Sequence, residues 1–220
     1  LKLNQMKKIL LIVTTFLVSF SMNAEDAKYM KAMEKNVATL DSATAISTYS
    51  EVGNAFERIG SANAKEWLPL YYQAFCTVMI GMKQETPSKM DEYYDKAEAI
   101  INRADALSPD NSEIVVVQSW INSMKISVDP MTRGQKLGQR SGMLNEKAIK
   151  LNPENPRAYF LKGSGLYYTP ANYGGGIDKA LPVLEVALEK FKNAKNENSI
   201  VPHWGQFQTE ELIKKCKKSE

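Results

Sequence analysis

The stretch from Ser141 to Phe191 limits the possible folds more than any other part of the chain. Small and apolar residues recur in it at helical spacing, and the small ones fall at repeated offsets. Ala148 precedes Pro153, which closes one helical segment. Tyr159, Gly163 and Leu166 open the next, and Ala180, Leu184 and Ala187 complete it. An alanine or glycine facing a neighbouring helix lets two backbones approach closely. A chain with such residues at repeated positions therefore packs as antiparallel helix pairs. No segment shows the two-residue alternation of a half-buried strand, so the expected fold class is all-α.

The rest of the chain reads the same way. Met30, Met33, Val37 and Leu40 form a first apolar stripe, and Ile46, Tyr49, Val52, Phe56 and Ile59 a second. Asp41-Ser42 is expected to stop the first helix and cap the next, and Gly60 to end the second in a left-handed turn. Trp67 to Gly81 is the third helix, with Pro69 in its first turn. Ser88 and Asp91 have capping-box spacing for the fourth helix, which carries Ala97, Ile101 and Ala104 before Pro109. Asn111-Ser112 caps the fifth, and Asp129-Pro130 ends it. The sixth carries Gly134, Gly138 and Gly142 at four-residue intervals. Each costs a helix roughly 1 kcal/mol against alanine, so a closely packed neighbour is expected there. Asn155 and Pro156 start the seventh helix, and the eighth runs from about Ile177 to Ala194. A final amphipathic helix with Leu212, Ile213 and Cys216 is expected to cap the open end of the row. Trp204, on a short loop before it, is expected to pin that helix onto the one carrying Ala180 and Leu184.

The start of the chain reads as a leader. Met6-Lys7-Lys8 is a basic n-region and Ile9 to Phe20 an apolar run of secretory length, too short for a comfortable membrane span. Ser21-Met22-Asn23-Ala24 precedes acidic Glu25-Asp26, so cleavage is expected after Ala24. That makes residues 1–24 the signal peptide and residues 25–220 one helical domain, exported to the periplasm or beyond and not inserted in a membrane. The formal net charge of the 220-residue chain is +3. Lys2, Lys7 and Lys8 leave with the leader, so the mature chain is neutral and gives no case for a nucleic-acid partner. Cys76 lies in an apolar helical run and Cys216 in the last helix, so two unbridged thiols are expected.

Ala97, Ile101, Ala104 and Pro109, then Tyr159, Gly163, Leu166, Ala180, Leu184 and Ala187, carry a family resemblance. Their spacing resembles the tetratricopeptide repeat (TPR), a helix–turn–helix unit with a small-residue code. From Trp67-Leu68-Pro69-Leu70-Tyr71-Tyr72 through Asn152-Pro153 to Trp204-Gly205, the chain looks like exported bacterial TPR-like proteins. Pro109 and Pro153 lie further apart than the repeat of about 34 residues. Asn145 and Lys162 stand where large apolar residues are usual. The resemblance therefore implies a degenerate TPR-like α-α solenoid of helical hairpins with a C-terminal capping helix. It also implies a non-enzymatic scaffold that binds a protein or peptide in a helical groove, without a cofactor. Gly174-Gly175-Gly176 before a small-residue helix is similar to the periplasmic TPR component of TRAP-type solute transporters. That similarity gives an alternative: a periplasmic solute-binding accessory with a small solute as partner.

The chemistry-bearing residues point the same way. His203 is the only histidine, and no carboxylate or cysteine stands at ligand spacing from it, so no metal site is expected. Gly163-Ser164-Gly165 lacks the nucleophile elbow, and no acid–histidine pair follows, so no catalytic residue is assigned and a hydrolytic enzyme is the weakest reading. The glycine loop precedes a helix, where free N–H groups can cradle an anion, but no lysine–serine pair follows. The loop reads as a turn chosen for its backbone freedom. Tyrosines recur in pairs, Tyr71-Tyr72, Tyr93-Tyr94 and Tyr167-Tyr168, with one ring of each directed to the core and the other to a groove or solvent. Tyr72, Tyr94, Tyr168 and Tyr173 are the expected partner-binding residues.

Overall fold

The computed structural model describes residues 25–195 and 198–218. Among the described residues the regular structure is helical, and no strand occurs. The first helix, α1, covers residues 25–41. It is followed by α2 (Ile46–Ala62), α3 (Leu68–Gly81), α4 (Pro87–Leu107), α5 (Ser112–Val128), α6 (Pro130–Leu151), α7 (Pro156–Tyr168), α8 (Ile177–Asn193) and α9 (Gln206–Lys218). A 3-10 turn, Ala171–Tyr173, lies between α7 and α8. None of the described helices is long and apolar enough to cross a membrane. The expected leader falls outside the described residues.

Consecutive helices pack in series: α2 on α3, α3 on α4, α5 on α6 and α7 on α8, with α9 against α8. The odd-numbered helices α3, α5 and α7 also contact one another and form an inner row. The composition of that row explains its place. Leu68 to Val78 and Ser112 to Val117 are buried almost continuously, and neither helix has a broad polar face. The outer helices α2, α4, α6 and α8 have one buried stripe each. The fold is thus an all-α, solenoid-like row of hairpins.

The small residues do what their spacing predicts. Ala104, Ala148 and Ala187 are fully buried. A Cβ added at Gly163 would stand 2.7 Å from the Leu184 side chain, so α7 and α8 meet at a distance only glycine allows. Asn111, Asp129 and Asn155 each accept a backbone N–H at the start of α5, α6 and α7. Pro69 and Pro156 sit in first turns, where the missing N–H costs nothing.

Several local expectations fail, for identifiable reasons. Ala45 precedes α2 without a side-chain cap, and the Ser42 hydroxyl donates back to the Thr39 carbonyl. Thr86, also without a side-chain bond, precedes α4; the helix begins at Pro87, so Ser88 lies inside it, and Asp91 is held by Arg133 of α6. Gly60 lies inside α2 and has no left-handed turn; it makes room for Pro69 of α3. The largest miss is the glycine stripe of α6. A Cβ at Gly134, Gly138 or Gly142 would meet nothing within 4 Å, so no helix sits close there. Cys76 and Cys216 are both buried and form no disulfide with each other.

Candidate functional site

Residues 198–205 turn the inner row from an open groove into an occupied one. After α8 this segment meets α1 and α3 at Ser199 and Ile200 and returns along them to the junction of α3, α5 and α7 at Trp204. The Ser199 hydroxyl donates to Glu34 Oε1 of α1 at 2.8 Å. Ile200 is buried with residues of the first five helices, and its carbonyl accepts from the Tyr72 hydroxyl at 2.8 Å. His203 Nε2 meets Asp41 Oδ1, at the end of α1, at 2.8 Å, and Nδ1 meets the Val201 carbonyl at 2.9 Å. We refer to this segment as the strap.

Trp204 anchors the far end. Its ring stacks on Trp120 of α5 at 5.3 Å between centroids and lies 5.5 Å from Phe75 of α3, with Phe160 of α7 edge-on. Trp204 is packed against the core cluster that holds Ala180 and Leu184 of α8 and Leu212 and Ile213 of α9, as expected, and its ring contacts add an anchor on the inner row that was not expected. Gly205, at φ +109°, makes the turn into α9, and a Cβ there would stand 2.8 Å from Phe191.

A buried polar chain underlies that anchor. Trp204 Nε1–H donates to the Tyr71 hydroxyl at 2.7 Å, and that hydroxyl donates to Glu113 Oε2 at 3.3 Å. Arg157 Nε and Nη2 donate to the two oxygens of the Glu113 carboxylate at 2.8 and 2.6 Å. Burial, then the neighbouring Glu113 charge, pushes the Tyr71 phenol well up, so it stays protonated and able to donate. Burial opposes the charge on Arg157, yet Glu113 more than compensates, and the pKa of the guanidinium is raised.

Two of the four expected contact tyrosines are core residues. Tyr72 is 3% exposed, with its hydroxyl held by the strap. Tyr94 is 2% exposed and lies over Gly81, where a Cβ would stand 2.6 Å from its ring. The expectation of one ring in and one ring out fails at the first pair, because the Tyr72 ring stacks on Phe56 of α2 at 5.0 Å and its hydroxyl is held by the strap. At the second pair Tyr93 is the more exposed member and Tyr94 fills the α3–α4 contact. Tyr168 and Tyr173 are different, at 70% and 78% exposed. Tyr168 stands at the end of α7, edge-on to Tyr167 at 5.0 Å, and Tyr173 closes the 3-10 turn that follows. The loop carrying them is rigidly built. Gly174 and Gly176 have φ of +91° and +109°, and a Cβ at Gly175 would stand 2.0 Å from the Thr169 carbonyl oxygen. The N–H groups of all three glycines donate to backbone carbonyls, so this loop is no anion cradle. Beside it Gly165 faces open space, and Met131 and Met143 on α6 are also exposed.

A cleft of about 680 Å³ between α4 and α6, floored by Lys125 of α5, was not legible in the sequence. Arg133 grips both oxygens of Asp91 at 2.6 and 2.8 Å, holding that carboxyl below its usual range. Lys125 bridges Asp95 at 2.6 Å and Glu98, and Arg140 reaches Glu98 at 3.3 Å. These pairs tie α4 to α5 and α6, and every carboxylate named here already has a cation. No group of histidine, cysteine and carboxylate side chains among the described residues is arranged to hold a metal.

No family model matches the sequence, and no curated protein does. Among solved structures, the chain is similar to one titled HusA haemophore from Porphyromonas gingivalis. The two share 36% sequence identity and superpose with a TM-score of 0.79, over 87% of this chain and 94% of the other.

Proposed function

Since the chain belongs to the family of the HusA haemophore, we propose that it is an exported, non-enzymatic binding protein. Its cargo is a haem-type tetrapyrrole, received at Tyr168 and Tyr173. The observation that carries this reading is the similarity to a haemophore along nearly the whole length of both chains. A tetrapyrrole is a flat apolar ring with carboxylate arms, and exposed aromatic faces on a rigid loop suit it. The available side chains also favour tyrosine. Phenolate oxygen is an established haem-iron ligand. Both ring nitrogens of His203 are engaged, one by Val201 of the strap and one by Asp41 at the end of α1. Cys76 is buried, its thiol pushed up to about 12 by that burial, and Cys216 is buried too. Tyr168 and Tyr173 are accessible, as are Met131 and Met143.

The test is a haem titration followed in the Soret band. Tyr168→Ala/Tyr173→Ala is expected to weaken binding at least tenfold, with the free energy of unfolding within about 0.5 kcal/mol of wild type, as for exposed positions. Tyr168→Phe and Tyr173→Phe separate the two roles. If stacking dominates, the Phe variants keep their affinity; if iron ligation dominates, they lose it and the spectrum shifts. Unchanged affinity in the double Ala variant overturns the assignment of the site.

Export is part of the same reading and rests on the leader. The protein recovered from its native cell is expected to begin at or near Glu25, and N-terminal sequencing that finds Met6 retained would reject export by this route. The TPR-like reading as a peptide or protein binder concerns a different surface, the inner row. A solute-transfer accessory would use the tyrosine site, with haem as the solute it passes on.

A further inference from the structure

The strap occupies the inner row as a bound peptide would. It is a short irregular segment that turns at Ser199–Ile200, where the Ile200 N–H donates to Asn198 Oδ1, and continues through Pro202 with two side-chain anchors and one main-chain contact. Ile200 fills an apolar socket among the first five helices. Four residues on, Trp204 fills an aromatic slot made by Phe75, Trp120 and Phe160, and its N–H is read by Tyr71. Between them the Tyr72 hydroxyl takes a backbone carbonyl, a contact any sequence can supply. The tethers to α1 are of another kind. Ser199 with Glu34 and His203 with Asp41 are exposed polar pairs, a class worth about 1 kcal/mol or less. The anchors are thus sockets that recognise side-chain shape, and the tethers are weak.

We propose that the inner row is a peptide groove whose resident occupant is the chain's own strap. An incoming segment able to take the same turned shape displaces it by presenting an aliphatic residue four positions before a tryptophan. The groove is autoinhibited, and its specificity can be read from the resident. This does not rest on the tetrapyrrole reading, which uses another surface.

The probe is a blocked, fluorescent peptide of the strap sequence, Asn-Ser-Ile-Val-Pro-His-Trp-Gly, with no haem present. The protein is the full chain carrying Glu34→Cys and Ser199→Cys, compared before and after the two thiols are joined by a short bis-thiol reagent. Cys76 and Cys216 are buried, so the engineered pair reacts. Bridging is expected to weaken peptide binding at least tenfold, since it holds the resident in place. A peptide with alanine for the tryptophan is expected to bind at least tenfold more weakly than the parent. A tethered strap competes at an effective concentration of about a millimolar. Ile200→Ala, which loosens the resident, is therefore expected to bind the peptide at least tenfold more tightly than the unbridged chain. Equal binding by the bridged and unbridged forms overturns the proposal, as does indifference to the loss of the peptide's tryptophan. Circular dichroism of the bridged and unbridged forms reports that the same folded chain is compared.

Discussion

Trp204→Ala is expected to lower the stability of the folded chain by about 3 kcal/mol, in the range for truncating a packed tryptophan. The variant loses the stack on Trp120 and the contacts with Phe75 and Phe160. It also removes the donor to Tyr71, whose hydroxyl stays buried beside Glu113. Trp204→Phe separates the two contributions, because it keeps most of the ring area and removes only the N–H; it is expected to cost about 1 kcal/mol. Hydrogen exchange supplies the second readout. Amides of residues 206–218 are expected to exchange faster in Trp204→Ala, because strap and α9 share that anchor. Wild-type protection there would mean that α9 is held by α8 alone.

Arg157→Met is expected to be at least as damaging, by about 3–5 kcal/mol, because it leaves the Glu113 carboxylate buried without its cation. The pair is well enclosed, the Arg157 and Glu113 side chains being 10% and 16% exposed. Its geometry is bidentate, and the same carboxylate also accepts from Tyr71. Removing both charges is a different experiment. Arg157→Met/Glu113→Leu is expected to recover most of the loss, since two apolar side chains of similar size replace two desolvated ions. Urea denaturation of the two single variants and the double gives the coupling directly. A double variant as unstable as the sum of the singles would mean that the charges are not coupled. The ion pair would then not be the element that fixes Tyr71 beneath Trp204.

The hairpins were legible because their signals are local. Ala148, Gly163 and Ala187 mark close helix contacts through their size alone, and Asn111 and Asn155 mark helix starts through hydrogen bonds to residues two positions away. The strap was not legible, because its meaning lies 128 to 165 residues away. A polar stretch ending in Pro-His-Trp-Gly has no periodicity, and nothing in it names Tyr72 or Glu34 as a partner. The tyrosine pairs failed through packing that the pair itself does not show, Tyr94 against Gly81 of α3 and Tyr72 against α2 and the strap. One ring in and one ring out is sound for an uncovered helix, and Tyr168 obeys it; Tyr72 does not, because α2 stacks Phe56 on its ring and the strap takes its hydroxyl. The glycines of α6 show the opposite error. Three small residues on one face were taken to need a neighbour, yet the helix simply leaves that face open. Within the candidate site, then, Tyr168 and Tyr173 could be read from composition and spacing, and the occupied inner row could not.

The strap also changes how the chain assembles. A row of hairpins joined only to its neighbours can begin folding anywhere and grow unit by unit. Here α1 gains its tethers to Ser199 and His203 only after eight helices have been made. Two core clusters that would otherwise meet only along α5 are stitched together by Ile200 in one and Trp204 in the other. The closing contacts span most of the chain, so they carry the largest loop-closure entropy of any among the described residues and raise the contact order of the fold. Once closed, the first and last hairpins are linked directly, and loss of either end is felt at the other. Among the described residues, a chain built from local pieces becomes one cooperative unit through eight residues near its carboxyl end.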